Sequence, residues 1–391
     1  MTQFNKVIDR TNTRSVKWDM TETLFKNKEV LPMWVADMDF ETPDAVKNAI
    51  AERAAHGVFG YTITDDKVHQ SIQNWLQNRH QWEINTDWLQ YSPGVVPSLH
   101  TMVEALTEKE DKILIQTPVY PPFFNVVQKH ERELVENPLV EQNGRFEIDF
   151  EDFEKKLQQG VKAFILCSPH NPVGRVWTKE ELKRMAELCL QYNVLIFADE
   201  IHADLILPGY THIPIASLSE DIAYQTITCL SPTKTFNIAG LQASYIVTPN
   251  KQFRKKIEEQ FGLQGVGVKM LNTLGITALE AAYEHGESWL NELIHVLDSN
   301  KQYVMDTIHS NTDKIKVVEP EGTYLVWLDC RGLQLSHEEL KEFMQKEAQV
   351  GLNDGASFGK DGEGFMRINI ACPPSILEEG VHRILQAIER A

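Results

Sequence analysis

One lysine in the middle of this 391-residue chain stands where a chain leaving a buried strand usually turns on small polar residues. Lys234 follows the apolar run Thr226–Leu230 and lies in the stretch 229–242, CLSPTKTFNIAGLQ. Most lysines are solvated surface residues, and a loop lysine of that kind is the ordinary explanation. The alternative is an amine used for covalent chemistry. Such chemistry requires partner groups from other parts of the chain.

Candidate partners follow other apolar runs, at the positions where we expect strands to end. The stretch 168–175 (SPHNPVGR), which contains Asn171, follows one run, and Asp199 follows the next. Earlier in the chain, residues 91–99 turn into a helix whose first turn would offer free backbone N–H groups. Each feature alone is explained by a turn, a helix cap or a helix entry. In a parallel sheet, however, ligands collect beyond the carboxyl ends of the strands, where these groups would meet.

The element that must position these residues is a mostly parallel α/β sheet. Short apolar runs alternate with helical patterns from about residue 88 to residue 250. We predict strands at residues 112–116 (KILIQ), 162–167 (KAFILC), 194–198 (VLIFA), 226–230 (TITCL) and 243–247 (ASYIV). Thr178, with Glu181 three residues later, forms the capping-box pattern that predicts a helix start between the second and third strands.

The pattern changes in the last hundred residues. Strand-like segments at 316–318, 324–328 and 365–370 alternate with helical segments, which indicates a smaller α+β domain. We predict an N-terminal segment at 1–47 that packs with this small domain, a large domain at 48–286 and the small C-terminal domain at 287–391.

Composition limits the classes of partner. The chain has 38 basic and 56 acidic residues and a net charge of −18, which argues against nucleic-acid or membrane binding through bulk electrostatics. No zinc or phosphate-loop signature occurs, so we predict no metal. The five cysteines are scattered in apolar runs, which indicates a reducing compartment. Since neither a signal-peptide pattern nor a membrane-span run occurs, we predict a cytoplasmic protein.

The motifs together resemble a known family. The order Asn-Pro-x-Gly, Asp-Glu and Ser-x-x-Lys is similar to that of the class I/II aminotransferase family of fold-type I pyridoxal-phosphate enzymes, along essentially the whole chain. The strings at 31–40, 56–62, 117–123 and 231–242 look closest to the MalY/PatB-type carbon–sulfur β-lyases. The resemblance implies a mostly parallel seven-stranded sheet between helices, plus a small α+β domain formed by the N- and C-terminal segments.

The same resemblance implies roles around pyridoxal 5′-phosphate. Lys234 would form the Schiff base with the cofactor and, once displaced by substrate, act as general acid and base at the substrate α-carbon. Asp199 would keep the ring nitrogen protonated. Asn171 would donate a hydrogen bond to the ring 3-oxygen, Tyr120 would stack on the ring, and His202 would lie among the cofactor-binding residues.

The implied phosphate and substrate contacts come from further parts of the chain. The backbone N–H groups of Val95 and Val96 and the hydroxyl of Ser231 would bind the phosphate. Tyr61 would reach the phosphate of a neighbouring subunit, which implies a homodimer with shared active sites. Arg367 would clamp the substrate α-carboxylate through two nitrogens, with Asn171 and Tyr61 also at the substrate.

Two departures from the common aminotransferase pattern favour a lyase. His202 stands where those enzymes carry a tyrosine, and Gln242 stands where they carry a phosphate-binding arginine. We therefore expect a cystathionine β-lyase or cysteine-S-conjugate β-lyase that releases a thiol, pyruvate and ammonia by α,β-elimination. Two alternatives remain open: an aminotransferase with the same cofactor site, and a cofactor-binding regulatory protein that acts through a partner.

Overall fold

The computed structural model describes residues 3–265 and 270–390 of the chain. Its α-helices in these ranges, α1 to α15 in chain order, are Val16–Asp19, Thr21–Phe25, Asp44–Ala55, Asp66–His80, Val95–Leu106, Pro122–Lys129, Phe150–Leu157, Lys179–Gln191, Glu220–Gln225, Pro232–Thr235, Lys251–Gln264, Thr273–His285, Glu287–Asn311, His337–Glu342 and Pro374–Arg390. Its strands, β1 to β15, are Leu31–Pro32, Leu89–Ser92, Lys112–Thr117, Glu133–Pro138, Val140–Gln142, Arg145–Glu147, Val161–Cys167, Leu195–Asp199, Thr226–Leu230, Ser244–Val247, Lys316–Val318, Leu325–Asp329, Val350–Gly351, Asn353–Asp354 and Phe365–Asn369.

A seven-stranded sheet forms the centre of the molecule. Its strand order is β2-β10-β9-β8-β7-β3-β4. Strand β10 runs antiparallel to both of its neighbours, and the pairs from β9 to β4 are parallel. The predicted mostly parallel seven-stranded sheet is confirmed, and all five predicted strands occur with bounds that differ by no more than one residue.

Burial on both faces explains why these strands could be read from the sequence. Strand β7 directs Phe164 and Leu166 into one apolar core and Ala163 and Ile165 into another. Side chains alternate between the two faces of a strand, so a sheet covered by helices on both sides requires continuous apolar runs. The carboxyl ends of β7, β8 and β9 consequently lie side by side at one edge of this covered sheet.

Helix α8 shows the predicted start signal. The hydroxyl of Thr178 accepts a hydrogen bond from the backbone N–H of Glu181, and the Glu181 carboxylate accepts one from the Thr178 N–H. This reciprocal pair satisfies two donors that the helix itself cannot use. The apolar side of the helix, with Leu182 and Met185, is fully buried against the sheet.

The N- and C-terminal parts of the chain pack together. Strands β11, β12, β15 and β14 form a four-stranded antiparallel sheet, and β1 pairs in parallel with β13. Helix α3 spans position 47, and α13 begins at Glu287. The division of the chain at 47 and 286 stays a prediction.

Two further features concern the cysteines and the helices. All five cysteines are buried and unpaired. Within residues 3–265 and 270–390, no helix combines the length and the apolar character that crossing a bilayer requires.

Candidate active site

A cavity of about 180 Å³ lies at the carboxyl ends of the central strands, next to the first turn of α5. Strands β7 and β8 end beside it at Cys167 and Asp199, and α10, just after β9, carries Lys234 into its wall. The predicted site residues that line this cavity are Val95, Val96, Tyr120, Asn171, Asp199, His202 and Lys234. The structure therefore brings these side chains and backbone groups to one place, while their roles stay predictions.

Asp199 is a buried carboxyl group in the cavity wall. Its Oδ1 accepts a hydrogen bond from the backbone N–H of Ile201 at 3.1 Å. Burial raises the pKa of Asp199 to about 7, and the negative charge of Glu200 adds to this, against the hydrogen bond from Ile201 and the positive charge of Lys234. A second positive group near its carboxylate would therefore favour the ionised form.

Lys234 is held in the four-residue helix α10. Its amine donates a hydrogen bond to the backbone carbonyl of Ala36. Burial lowers the pKa of Lys234 to about 8, and the Arg367 charge acts in the same direction, while Asp37 and Asp199 oppose it. An amine with a pKa this close to neutrality can take up and release a proton under mild conditions.

Arg367 is buried rather than solvated, with 4% of its surface exposed. One terminal nitrogen donates to Asn171 Oδ1 at 2.9 Å, and the other donates to Asn353 Oδ1 at 2.5 Å and to the Trp34 carbonyl at 3.2 Å. The guanidinium carbon lies 4.8 Å from the centre of the Phe358 ring. Because Asn171 lines the cavity, these contacts fix the guanidinium beside it. Burial lowers the pKa of Arg367 to about 10.

The candidate phosphate donors divide into two groups. Val95 and Val96 begin helix α5 and line the cavity, and their backbone N–H groups lack acceptors within the helix. Ser231, in contrast, caps α10: its hydroxyl donates to the Ala243 carbonyl at 2.6 Å and accepts from the Thr233 N–H at 3.1 Å. Ser231 is not among the residues that line the cavity, whereas Thr233, whose hydroxyl lies 2.6 Å from that of Ser231, is.

Tyr61 lies apart from this cavity in the single chain. Its side chain is 97% exposed, and it lines a separate surface cavity of about 640 Å³ together with Phe59 and Thr273. The expected contact with a phosphate is one between subunits, so it stays a prediction.

Comparison with known proteins identifies the family. The model of "Aminotransferase class I and II" matches residues 28–384. The chain belongs to this family. It is 46% identical to "Cystathionine beta-lyase PatB" of Bacillus subtilis over 98% of this chain and 99% of that protein.

Two solved structures of this family are also similar along their full length. Cystalysin from Treponema denticola, whose crystal structure contains a pyridoxal 5′-phosphate cofactor, is 38% identical with a TM-score of 0.96 and covers 100% of this chain and 99% of its own. The PLP-bound C-S lyase from Staphylococcus hominis is 34% identical with a TM-score of 0.92, over 99% of this chain and 98% of its own. The predicted resemblance to the aminotransferase family and to its carbon–sulfur lyases is confirmed.

The two departures from the common aminotransferase pattern lie in different surroundings. His202 is in the cavity wall, and its Nδ1 is buried without a hydrogen-bond partner among the described residues. Burial, together with the charges of Lys234 and Arg367, lowers the pKa of His202 to about 3, so the ring is neutral near pH 7. Gln242 is exposed at the end of a short helix and does not line the cavity.

The donor set fits the cofactor of this aminotransferase family. A buried carboxyl at Asp199, an amine at Lys234 and an amide at Asn171 face one cavity, whose far side is a helix N-terminus. The unpartnered Nδ1 of His202 gives the wall one more polar atom that a ligand can satisfy. No cluster of three or more metal-binding side chains occurs in residues 3–265 and 270–390.

Three residues near the site were not predicted from the sequence. Tyr324 is fully buried and donates its hydroxyl hydrogen to the Ala36 carbonyl at 2.9 Å, the same acceptor that Lys234 uses. Asn353 anchors Arg367, and Thr233 lines the cavity. Thr233 lies inside the Ser-x-x-Lys motif and could have been named, whereas the contacts of Tyr324 and Asn353 carry no signal in the sequence.

Proposed function

We propose that this chain is a pyridoxal-phosphate-dependent carbon–sulfur β-lyase that acts on cystathionine or cysteine conjugates. The observation that carries the proposal is the meeting of Lys234, Asp199 and Asn171 at one buried cavity, in a chain 46% identical to a protein named cystathionine β-lyase. The overall change is the addition of water to the sulfur amino acid, which gives a thiol, pyruvate and ammonia.

The cofactor supplies an electron-withdrawing ring that stabilises negative charge at the substrate α-carbon. In this proposal Asp199 would bind the ring nitrogen and keep a proton there, because an ionised carboxylate is stabilised by an adjacent positive N–H group. Asn171 would donate a hydrogen bond to the ring 3-oxygen, Tyr120 would pack on the ring, and Val95 and Val96 would bind the phosphate through their N–H groups.

Lys234 moves the proton at the substrate α-carbon. Its pKa of about 8 leaves about a tenth of the amine unprotonated at pH 7, far more than the ordinary lysine pKa of 10.5 would, and this form can accept the proton. Burial is the main cause of this low value, and the same burial excludes water that would compete for the proton. The sulfur then leaves as a thiolate, which departs more readily than an amine or an alkoxide.

Arg367 orients the substrate by its α-carboxylate. A planar guanidinium binds a carboxylate through two parallel hydrogen bonds. Asn171, Asn353 and the Trp34 carbonyl hold its plane and use three of its four terminal N–H hydrogens, so a substrate carboxylate bound in this way would replace the Trp34 carbonyl as an acceptor. The buried position makes these charge-assisted bonds stronger than they would be in water.

The test is pyruvate release from L-cystathionine without an added keto acid. We expect release by the wild type, none by Lys234→Ala, and wild-type rates for Lys251→Ala, which changes an exposed lysine. If product forms only when a keto-acid acceptor is present, the aminotransferase alternative is correct. If the chain binds the cofactor but neither reaction occurs, the regulatory alternative gains support.

We also propose that the working unit is a homodimer with shared active sites. The support is the exposed apolar segment that carries Val58, Phe59, Tyr61 and Ile63, since a monomer gains nothing from exposing these side chains. Mixing Lys234→Ala protomers with Tyr61→Ala protomers tests it, because a mixed dimer then contains one complete site. Activity that returns only in the mixture supports the shared site, and none in a mixture shown to exchange subunits contradicts it.

The cytoplasm stays our proposed location. The support is the set of five unpaired buried thiols, which a reducing compartment preserves.

A further inference from the structure

A second buried carboxylate lies behind the wall that carries Lys234. Asp204 is 5% exposed and does not line the cavity. Its Oδ1 accepts hydrogen bonds from Trp75 Nε1 at 3.1 Å and from His80 Nε2 at 2.8 Å, and its Oδ2 accepts one from the Thr235 hydroxyl at 2.8 Å. Trp75 and His80 belong to helix α4, whereas Thr235 is the last residue of helix α10. One carboxylate therefore joins two helices.

Asp204 is ionised in this position. Burial opposes the charge, but the hydrogen bonds from His80 and Thr235 and the charge of His80 hold the pKa of Asp204 below its usual value. Hydrogen bonds to a buried ionised group are stronger than those between neutral groups, and leaving such a group without a donor is costly. The three donors are therefore firmly fixed around the carboxylate.

Helix α10 depends on such an anchor because it is very short. It contains four residues, and its closing backbone hydrogen bond runs from Phe236 N–H to the Pro232 carbonyl at 2.9 Å. A single helical turn is not stable alone, since the cost of ordering the first turn exceeds the gain from one hydrogen bond. Thr235 directly follows Lys234, so the bond to Asp204 fixes the backbone from which the Lys234 side chain extends.

Trp75 holds the same turn from a second direction. Its ring packs edge-on against Phe236, with the ring centres 5.6 Å apart, while its N–H donates to Asp204. The ring also stacks on Tyr283 at 4.9 Å. Phe236, the residue after Thr235, is therefore held by packing against Trp75, and Trp75 also donates a hydrogen bond to Asp204.

The anchor also contacts the strand that ends at Asp199. The His80 ring meets the His212 ring edge-on at 5.5 Å between centres, and His212 Nε2 lies 3.1 Å from a carboxylate oxygen of the fully buried Glu200. Glu200 directly follows Asp199. The cluster of Asp204, His80, His212 and Glu200 therefore connects the two segments that carry Lys234 and Asp199.

We propose that Asp204, through Thr235 and with His80 and Trp75, is a positioning residue for Lys234. The inference rests on the proposed function, in which Lys234 moves the proton at the substrate α-carbon. Asp204 accepts from Thr235, while the Lys234 amine donates to the Ala36 carbonyl, so Asp204 acts on that amine through its position. A displacement of about 1 Å at a reacting group can lower the rate roughly 100-fold.

The test compares two substitutions of Thr235. Thr235→Val keeps the shape of the side chain and removes the hydroxyl, while Thr235→Ser keeps the hydroxyl. We expect Thr235→Val to lower kcat by about 10- to 100-fold with little change in KM, and Thr235→Ser to restore most of it. The control is Thr226→Val, which removes a buried hydroxyl that donates to the Ile222 carbonyl at 2.7 Å, at the opposite end of strand β9.

A second readout does not depend on turnover. Hydrogen exchange of residues 231–240 should become faster in Thr235→Val and in Asp204→Asn and stay unchanged in Thr226→Val, with the cofactor bound or removed. If the wild type releases no pyruvate from cystathionine, the proposed function fails, and exchange still decides whether Asp204 fixes this segment.

Several results would overturn the inference. One is a kcat of Thr235→Val within about twofold of the wild-type value. The others are a fall in kcat of Thr235→Ser, or of Thr226→Val, as large as that of Thr235→Val. If Thr235→Val does not fold, Trp75→Phe decides, because it keeps an aromatic ring against Phe236 and removes the donor to Asp204. Unchanged exchange at 231–240 in that variant contradicts the anchor.

Discussion

Replacing Arg367 by lysine tests the proposed carboxylate clamp, because it keeps the positive charge and removes the planar pair of nitrogens. In the structure the guanidinium already donates to Asn171 and Asn353. A single ammonium cannot reach both of these oxygens and also bind two oxygens of a substrate carboxylate. We therefore expect weaker substrate binding from an otherwise folded protein.

The size of the loss follows from the number of bonds. Each hydrogen bond to a charged group contributes about 1.5–3 kcal/mol, and lysine retains one of the two bonds to the carboxylate. The Arg367→Lys variant should therefore lose roughly 10- to 150-fold in kcat/KM. Since the carboxylate is the same in the ground state and the transition state, most of the loss should be a higher KM.

The assay is pyruvate release from L-cystathionine, coupled to NADH oxidation by lactate dehydrogenase. The matched control is Arg331→Lys. Arg331 also stacks on a phenylalanine, Phe365, at 4.8 Å, but it is half exposed and pairs with Asp329 and Glu141 at the surface. We expect this control to keep kcat/KM within about twofold, because exposed ion pairs contribute little.

Two results would refute the reasoning about Arg367. One is a kcat/KM for Arg367→Lys within about threefold of wild type, which would place carboxylate binding elsewhere. The other is an equal loss in Arg331→Lys, which would show a general effect of replacing a buried or stacked guanidinium. Thermal midpoints of both variants separate loss of folding from loss of binding.

Three further predictions follow from burial and backbone geometry. In the cofactor-free protein, burial raises the pKa of Asp199 from 3.8 to about 7, so the folded chain keeps a proton that the unfolded chain releases, and the folded state loses stability as the pH rises through this interval. In urea unfolding between about pH 5 and pH 8, the free energy of unfolding of the wild type should therefore fall by about 2–3 kcal/mol more than that of Asp199→Asn. The five buried thiols, whose pKa values burial raises, should react with a thiol reagent only after unfolding. Gly174→Ala should lower the melting temperature more than Gly209→Ala. Both glycines have positive φ, so both substitutions strain the backbone. A Cβ added at Gly174 would also lie 2.8 Å from Pro320 Cβ, whereas a Cβ added at Gly209 would have no described atom outside its immediate chain neighbours within 4 Å.

Each of these predictions has a contradicting outcome. A parallel pH dependence of wild type and Asp199→Asn would show that this carboxyl is not the buried acid described above. Rapid reaction of a thiol in the folded protein would show an accessible cysteine. Equal melting temperatures for the two glycine variants would mean that the chain around Pro320 moves aside at little cost.

The central sheet could be predicted because its physical cause is local. A strand buried on both faces must be apolar at successive positions, so β3, β7, β8, β9 and β10 appear as short apolar runs. The polar residues at their ends then follow from the rule that ligands meet at carboxyl strand ends. This is why Lys234, Asp199 and Asn171 could be predicted from the sequence as residues of one site.

The rest of the site depends on contacts between distant parts of the chain. Whether a strand arginine such as Arg367 is solvated or buried depends on Asn171 and Asn353, which meet it only in the folded molecule. The resemblance implies Ser231 as a phosphate donor, and in the folded chain its hydroxyl caps helix α10 and lies 2.6 Å from the Thr233 hydroxyl. These contacts arise from side-chain direction within one turn, which residue spacing does not encode, and the role of Ser231 at the phosphate stays a prediction.

The central claim is that this chain cleaves a carbon–sulfur bond and leaves the cofactor unchanged. The most direct measurement is the product balance from L-cystathionine with no keto acid present, over many turnovers. We predict homocysteine, pyruvate and ammonia in equal amounts, with the absorbance of the bound cofactor the same at the end as at the start. A single turnover that stops, with the amino group retained on the cofactor and no free ammonia, would contradict the account.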